Sequence, residues 1–167
     1  MNPRRIFLTT GLALIGFGRR AWASRLGSRQ AQVEPAQYAP LSNPVRIPID
    51  RVSTPWRPVP FIAEAFAPAP AGGTRRVLIS GVLFRREADL SALCVTCPHE
   101  QCKVDFIADA ARPVFECGCH ASVFDAARDG AKIAGETPRG LYRFRIGGLE
   151  SGTVEITEIE AEALTAV

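Results

Sequence analysis

The chain has 167 residues and carries 20 lysines and arginines against 17 acids, a net charge of +3. That length holds one ordinary domain and a leader, and excludes two substantial enzyme domains. Four arginines lie at Arg4, Arg5, Arg19 and Arg20. Beyond Ala23 the balance is 16 basic to 17 acidic residues, net −1, so the basic excess belongs to the leader and argues for no nucleic-acid surface.

Residues 1–23 read as a targeting segment. Arg4-Arg5 opens it, an apolar run from Ile6 to Phe17 follows, and Ala21-Trp22-Ala23 has the small-x-small form cut by a signal peptidase. The string Arg4-Arg5-Ile6-Phe7-Leu8 resembles the twin-arginine export signal R-R-x-F-L, with Pro3 where a Ser or Thr is usual and Thr9 where a Lys is common. A spanning helix needs about 20 apolar residues, whereas Arg19-Arg20 interrupts this run after thirteen, Ile6 to Gly18. Cleavage after Ala23 is therefore favoured over retention as an anchor. Residues 24–44 are rich in Ser, Gln, Ala and Pro without an apolar period, and are expected to form a flexible or extended tether.

From Val45 the pattern becomes that of short strands. Val45–Ile49 alternates, Arg76–Ile79 and Gly81–Phe84 form an apolar pair, Leu141–Ile146 alternates strictly, and Gly152–Thr157 closes the series. Between the first two, Pro55–Gly73 is loaded with Pro and Ala and is expected to be a long surface loop rather than a central strand. Helix signals are weak, confined to Glu87–Leu90 and the last residues. The pattern predicts an all-β small barrel or sandwich over 45–158, with a tail at 159–167.

Two short clusters within it carry the chemistry. Cys97-Pro98-His99-Glu100-Gln101-Cys102 and Cys117-Gly118-Cys119-His120-Ala121-Ser122 contain both histidines and four of the five cysteines. Cys97 with His99 and Cys117 with His120 supply two thiolates and two imidazoles, the donor count for a 2Fe-2S cluster with cysteines on one iron and histidines on the other. A structural zinc ion would accept the same four ligands. Zinc-finger spacing, however, separates the members of each ligand pair by two or more residues, whereas one residue lies between Cys97 and His99. The fifth cysteine, Cys94, sits in the apolar Leu93-Cys94-Val95 and reads as a buried, inert thiol.

The two clusters resemble the boxes C-x-H-x-x-C and C-x-C-H-x-S of the Rieske iron-sulfur family. That resemblance implies one Rieske-type 2Fe-2S cluster per chain, held by Cys97, His99, Cys117 and His120 at the tip of a small β subdomain. It also implies a disulfide between Cys102 and Cys119 that ties the two loops together. A third, proline-bearing loop covers the cluster in the family, and Ile133–Pro138 resembles it, with Pro138 as the rigid element. High-potential relatives continue the second box as C-x-C-H-x-S-x-Y, with both hydroxyls donating to cluster sulfurs. Here Ser122 is in place, but Phe124 stands at the tyrosine position, which implies a lower potential.

The resemblance implies an electron-transfer subunit rather than a complete enzyme, within a larger respiratory complex. Both histidines fall in the boxes, so none remains for the second, mononuclear iron of aromatic-ring oxygenases. The family's cytoplasmic ferredoxins lack the paired loop cysteines, and disulfides persist mainly outside the cytosol. Two partner sets fit: cytochrome b and c subunits, with electrons passing from quinol to a c-type cytochrome, or the molybdenum subunit of a periplasmic oxidase of the arsenite oxidase type. A zinc-stabilised binding module is the reading from a different class. The twin-arginine translocase, which carries folded proteins, would export the chain with its cluster already inserted, leaving it in the periplasm or on the periplasmic face of the membrane.

Overall fold

Alternation of apolar and polar residues builds residues 35–108 and 112–166, the part described in a computed structural model, into an antiparallel all-β architecture. The targeting segment expected at 1–23 and the tether through residue 34 lie outside the described residues. Six strands form the larger sheet: β1 (Tyr38–Pro48), β2 (Val59–Pro68), β3 (Thr74–Arg85), β4 (Leu90–Cys94), β9 (Phe144–Glu150) and β10 (Thr153–Glu160), in the order β4-β3-β2-β1-β10-β9. The sheet curls so that its edges meet. Cys94 N–H donates to the Tyr142 carbonyl at 2.8 Å, and Leu93 bridges to Arg143. Its core is closed by Ile79, Leu83, Val154, Ile156 and Ile159.

Four shorter strands are inserted between β4 and β9: β5 (Val104–Ile107), β6 (Val114–Cys117), β7 (Ser122–Asp125) and β8 (Ala131–Ala134), paired in chain order. They have their own core. Phe84 reaches across from β3 to meet the rings of Trp56, Phe106 and Phe115 at 5.9–6.0 Å. Phe115, Phe124, Leu93 and Leu141 fill the space behind Cys97 and Cys117.

The structure corrects four expectations. Pro55–Gly73 is not a surface loop, because its middle is β2, an interior strand paired residue for residue with β3 from Val59↔Leu83 to Pro68↔Thr74. Val59, Phe61, Ala63, Ala65 and Ala67 face the core while Pro60, Ile62 and Phe66 face out, the period-two pattern of a half-buried strand. Its prolines, Pro60 and Pro68, sit near the strand ends, and on the β1 side the pairing is confined to Leu41↔Ala65, so that side makes no demand on their missing N–H. The apolar runs at 76–79 and 81–84 are one strand, β3, passing through Gly81. A Cβ there would lie 2.4 Å from the Phe61 ring and 2.8 Å from that of Phe144, two rings packed edge to face. Sheet pairing also extends beyond both expected boundaries. Tyr38↔Glu160 and Ala39↔Ile159 are in register, so β1 begins inside the tether segment and β10 ends inside the tail, which closes with a short helix, α1 (Ala163–Ala166).

The end of β10 also anchors the chain on its way into β9. Glu160 is buried and takes the guanidinium groups of Arg139 and Arg143, and Arg139 lies over the Tyr142 ring at 4.5 Å. This clamp holds residues 139–143, directly after the Ile133–Pro138 segment. Glu87–Leu90 forms a turn into β4 instead of a helix, with Arg86 N–H donating to Asp89 O.

Candidate metal centre

Each cluster forms the tip of a hairpin, and the two tips are built alike. In the first, Cys97 N–H donates to Cys102 O at 2.7 Å and Gln101 N–H to Cys97 O at 3.0 Å, closing a tight turn whose stem is continued by Val104 N–H to Val95 O. In the second, Cys117 pairs with Ser122 across the β6–β7 hairpin. Both turns carry a non-glycine residue in the left-handed region at the same offset, Gln101 (φ 59°) and Ala121 (φ 47°). Such backbone is sparsely populated for residues with a Cβ and is held in place by the surrounding bonds. Neither residue stood out in the sequence, because nothing in its type signals that conformation.

The tips are joined by a Cys102–Cys119 disulfide with Cα atoms 6.5 Å apart. Around it the remaining side chains divide by chemistry. The thiols of Cys97 and Cys117 point inward, 1% and 2% exposed, and remain unbridged. The rings of His99 and His120 stand outward of them, with centroids 4.6 Å apart. His120 keeps 36% of its side chain in contact with solvent, and its Nε2 lies 3.8 Å from the Glu100 carboxylate. Glu100 was not singled out in the sequence. Its ligand atom shares a site of less than 5 Å span with both imidazoles, within 4.8 Å of each.

This arrangement fits an iron-sulfur cluster through its donor set, two unbridged buried thiols and two imidazoles, and through one orphaned atom. His99 Nδ1 is buried and has no hydrogen-bond partner, a position that costs about 1–3 kcal/mol unless something accepts or binds it. Burial also pushes the Cys97 thiol up; backbone bonds at His99 and Glu100 pull it back only in part, and the adjacent Cys117 thiol pushes it further. A thiol kept protonated in this way gives up its proton when a metal binds. Cys94, by contrast, is fully buried in β4, its thiol raised by burial with partial relief from hydrogen bonds at Thr96.

The Ile133–Pro138 segment packs against the second hairpin. Gly135 adopts φ +90°, and a Cβ on it would meet Ser122 Cα at 2.3 Å. Thr137 N–H donates to Ser122 Oγ at 3.4 Å. Ser122 and Phe124 are both fully buried; Pro138 is exposed. Below them Asp125 caps the short turn after β7. Burial alone would raise its carboxyl, but the Arg128 hydrogen bond, the Ala127 N–H and the charges of Arg128 and Arg112 hold it below the ordinary carboxylate value.

Residues 64–145 match the family model described as the Rieske [2Fe-2S] domain, a span that contains both hairpin tips and the third segment. A solved structure from Mycobacterium tuberculosis, assigned as an NADH-dependent nitrite reductase small subunit, is similar over 74% of this chain and 96% of its own, at 13% identity and a TM-score of 0.37. No curated protein sequence matches the chain.

Proposed function

This chain carries a Rieske [2Fe-2S] domain, and from that premise we propose that it is the electron-transfer subunit of a respiratory oxidoreductase, taking electrons from quinol and passing them to a c-type cytochrome. The observation that carries the reading is the split of the donor set. Two buried thiols lie behind two outward imidazoles at the tip of the smaller sheet.

A bound Rieske cluster supplies a one-electron centre whose histidine-held iron is the easier to reduce. Cys97 and Cys117 would hold one iron as thiolates. His99 would hold the other through its unpartnered Nδ1, and His120 through Nδ1 as well, since its Nε2 is turned to Glu100. That leaves the outer face of His120 open to solvent, where a ring nitrogen can take a proton from a hydroxylic donor as the electron leaves it. Phe115, Phe124 and Leu141 exclude water from the thiolate side. The disulfide and the Gly135–Pro138 loop hold the tips at a fixed separation.

Spectroscopy, purification and cell fractionation test this reading. Low-temperature EPR of the dithionite-reduced protein gives a Rieske signal; a silent protein that contains zinc would overturn it. Replacing Cys97, His99, Cys117 or His120 by Ala abolishes that signal, and a full-strength native signal in any one of them removes that residue from the ligand set. The partner is read by purifying the tagged chain from its source membranes. Haem b and c with the chain supports quinol oxidation, whereas molybdenum without haem b moves it to an arsenite-oxidase-type complex. Export to the periplasm through the twin-arginine route belongs to the same proposal. It is checked by fractionating cells that carry Arg4→Lys with Arg5→Lys, which should retain the chain in the cytoplasm.

A further inference from the structure

Thr137 is fully buried between the third loop and the second hairpin, and all of its polar groups are engaged. Its N–H donates to Ser122 Oγ at 3.4 Å, its Oγ1 donates to Arg139 O at 2.8 Å, and its carbonyl accepts from Lys132 Nζ at 2.6 Å. Arg139 is itself held by Glu160 and Glu162. The loop is thus pinned on its far side by the larger sheet and on its near side by β8.

The consequence falls on Ser122. A hydroxyl has one hydrogen to donate and lone pairs to accept with. Thr137 N–H occupies the accepting side, and the backbone at Gly135 lies so close that a Cβ there would sit 2.6 Å from Ser122 Oγ. The loop backbone thus crowds Ser122 Oγ from one side and leaves its hydrogen the other, where Cys117 is the strand partner of Ser122. At 3.4 Å the Thr137 contact is longer than an ordinary N–H···O bond and therefore weak, so a slight loosening of the loop removes it and frees the hydroxyl to rotate.

We propose that Thr137 is a positioning residue that sets the reduction potential from outside the ligand set, by fixing the direction in which Ser122 donates. The inference rests on the cluster being held as proposed above. A hydroxyl aimed at cluster sulfur favours the more negative reduced form and raises the potential; one free to rotate spends part of its time elsewhere, and the potential falls. The family's pattern of boxes does not contain this residue. It is the threonine side chain, through Arg139 O, that holds the loop in the donating position.

The test is a double-mutant cycle on the loaded, full-length protein, read by redox titration with EPR detection. Thr137→Val removes the Oγ1 bond at constant volume and lowers the midpoint potential, by no more than Ser122→Ala does. Thr137→Ser keeps the donor and holds the parental potential. In the Ser122→Ala background Thr137→Val causes no further shift. An equal shift in both backgrounds, or no shift from Thr137→Val in the parent, overturns the proposal while leaving the EPR signal, and so the cluster itself, intact. If Thr137→Val loads no cluster, Thr137→Ala makes the same comparison without the added methyl group. Absence of any Rieske signal in the parent would instead defeat the underlying functional reading.

Discussion

Removing the bridge between the hairpin tips, by Cys102→Ser together with Cys119→Ser, lowers the thermal midpoint of the cluster-free protein by about 10 °C. The bridge closes a loop with a sequence separation of 17, which in the chain-entropy model is worth about 3 kcal/mol. The described residues, 35–108 and 112–166, number 129, and at about 2 cal/mol/K per residue their unfolding entropy is near 0.3 kcal/mol/K; the quotient is the shift. The double replacement is chosen for a structural reason. The sulfurs of Cys102, Cys117 and Cys119 lie within 4.8 Å of one another, so either single serine variant leaves a lone thiol beside Cys117. In air that thiol can pair with Cys117 and remove a ligand. The single variants are therefore expected to carry less iron per chain than the double variant, even though they change fewer residues. Differential scanning calorimetry without reductant, iron analysis and mass spectrometry of non-reduced peptides decide the matter. An unchanged midpoint in the double variant would refute the entropic argument, and equal iron in single and double variants would refute the exchange argument.

Phe124→Tyr places a hydroxyl in the core behind the cysteines and is expected to raise the one-electron potential by about 40–90 mV if it donates to sulfur with ~1–2 kcal/mol preference for the reduced form; an unchanged titration curve means the ring edge does not face the cluster. Asp125→Asn costs about 2 kcal/mol at neutral pH through the lost charge-assisted bonds to Arg128 and Ala127. Because the folded-state carboxyl lies below its unfolded value, that stability is complete above about pH 4 and is lost as pH falls through the lowered value. The wild-type and Asp125→Asn urea midpoints should therefore converge in acid, and a constant gap down to pH 2 would contradict this. Gly135→Ala forces a methyl against Ser122 Cα from a left-handed backbone and is expected to cost at least ~2 kcal/mol, read as a lower midpoint and faster cluster loss. Cys94 is expected to stay unlabelled by iodoacetamide in the native protein; rapid labelling would show that the seam between β4 and Tyr142 opens.

The candidate site was legible in the sequence because it is local. Each hairpin tip spans six consecutive residues, Cys97–Cys102 and Cys117–Ser122, and a tight turn presents donors at short, fixed spacings that survive in the one-dimensional record. Strands with alternating residues, such as the end of β1 and most of β10, were legible for the same reason. What the sequence could not show depended on partners far along the chain. Whether a proline is tolerated in β2 turns on whether the neighbouring strand needs its N–H, and β1 reaches β2 only at Leu41↔Ala65. Gly81 reads as a break until the Phe61 and Phe144 rings are seen lying over it. Thr137 is an ordinary loop residue until the fold seats it on Ser122, 15 positions earlier, and Glu160 belongs to an unremarked tail until Arg139 and Arg143 close on it. Ligand identity and spacing are properties of the local chain, whereas strand membership, close approach and the aim of a hydroxyl arise from contacts that exist only once distant segments have packed.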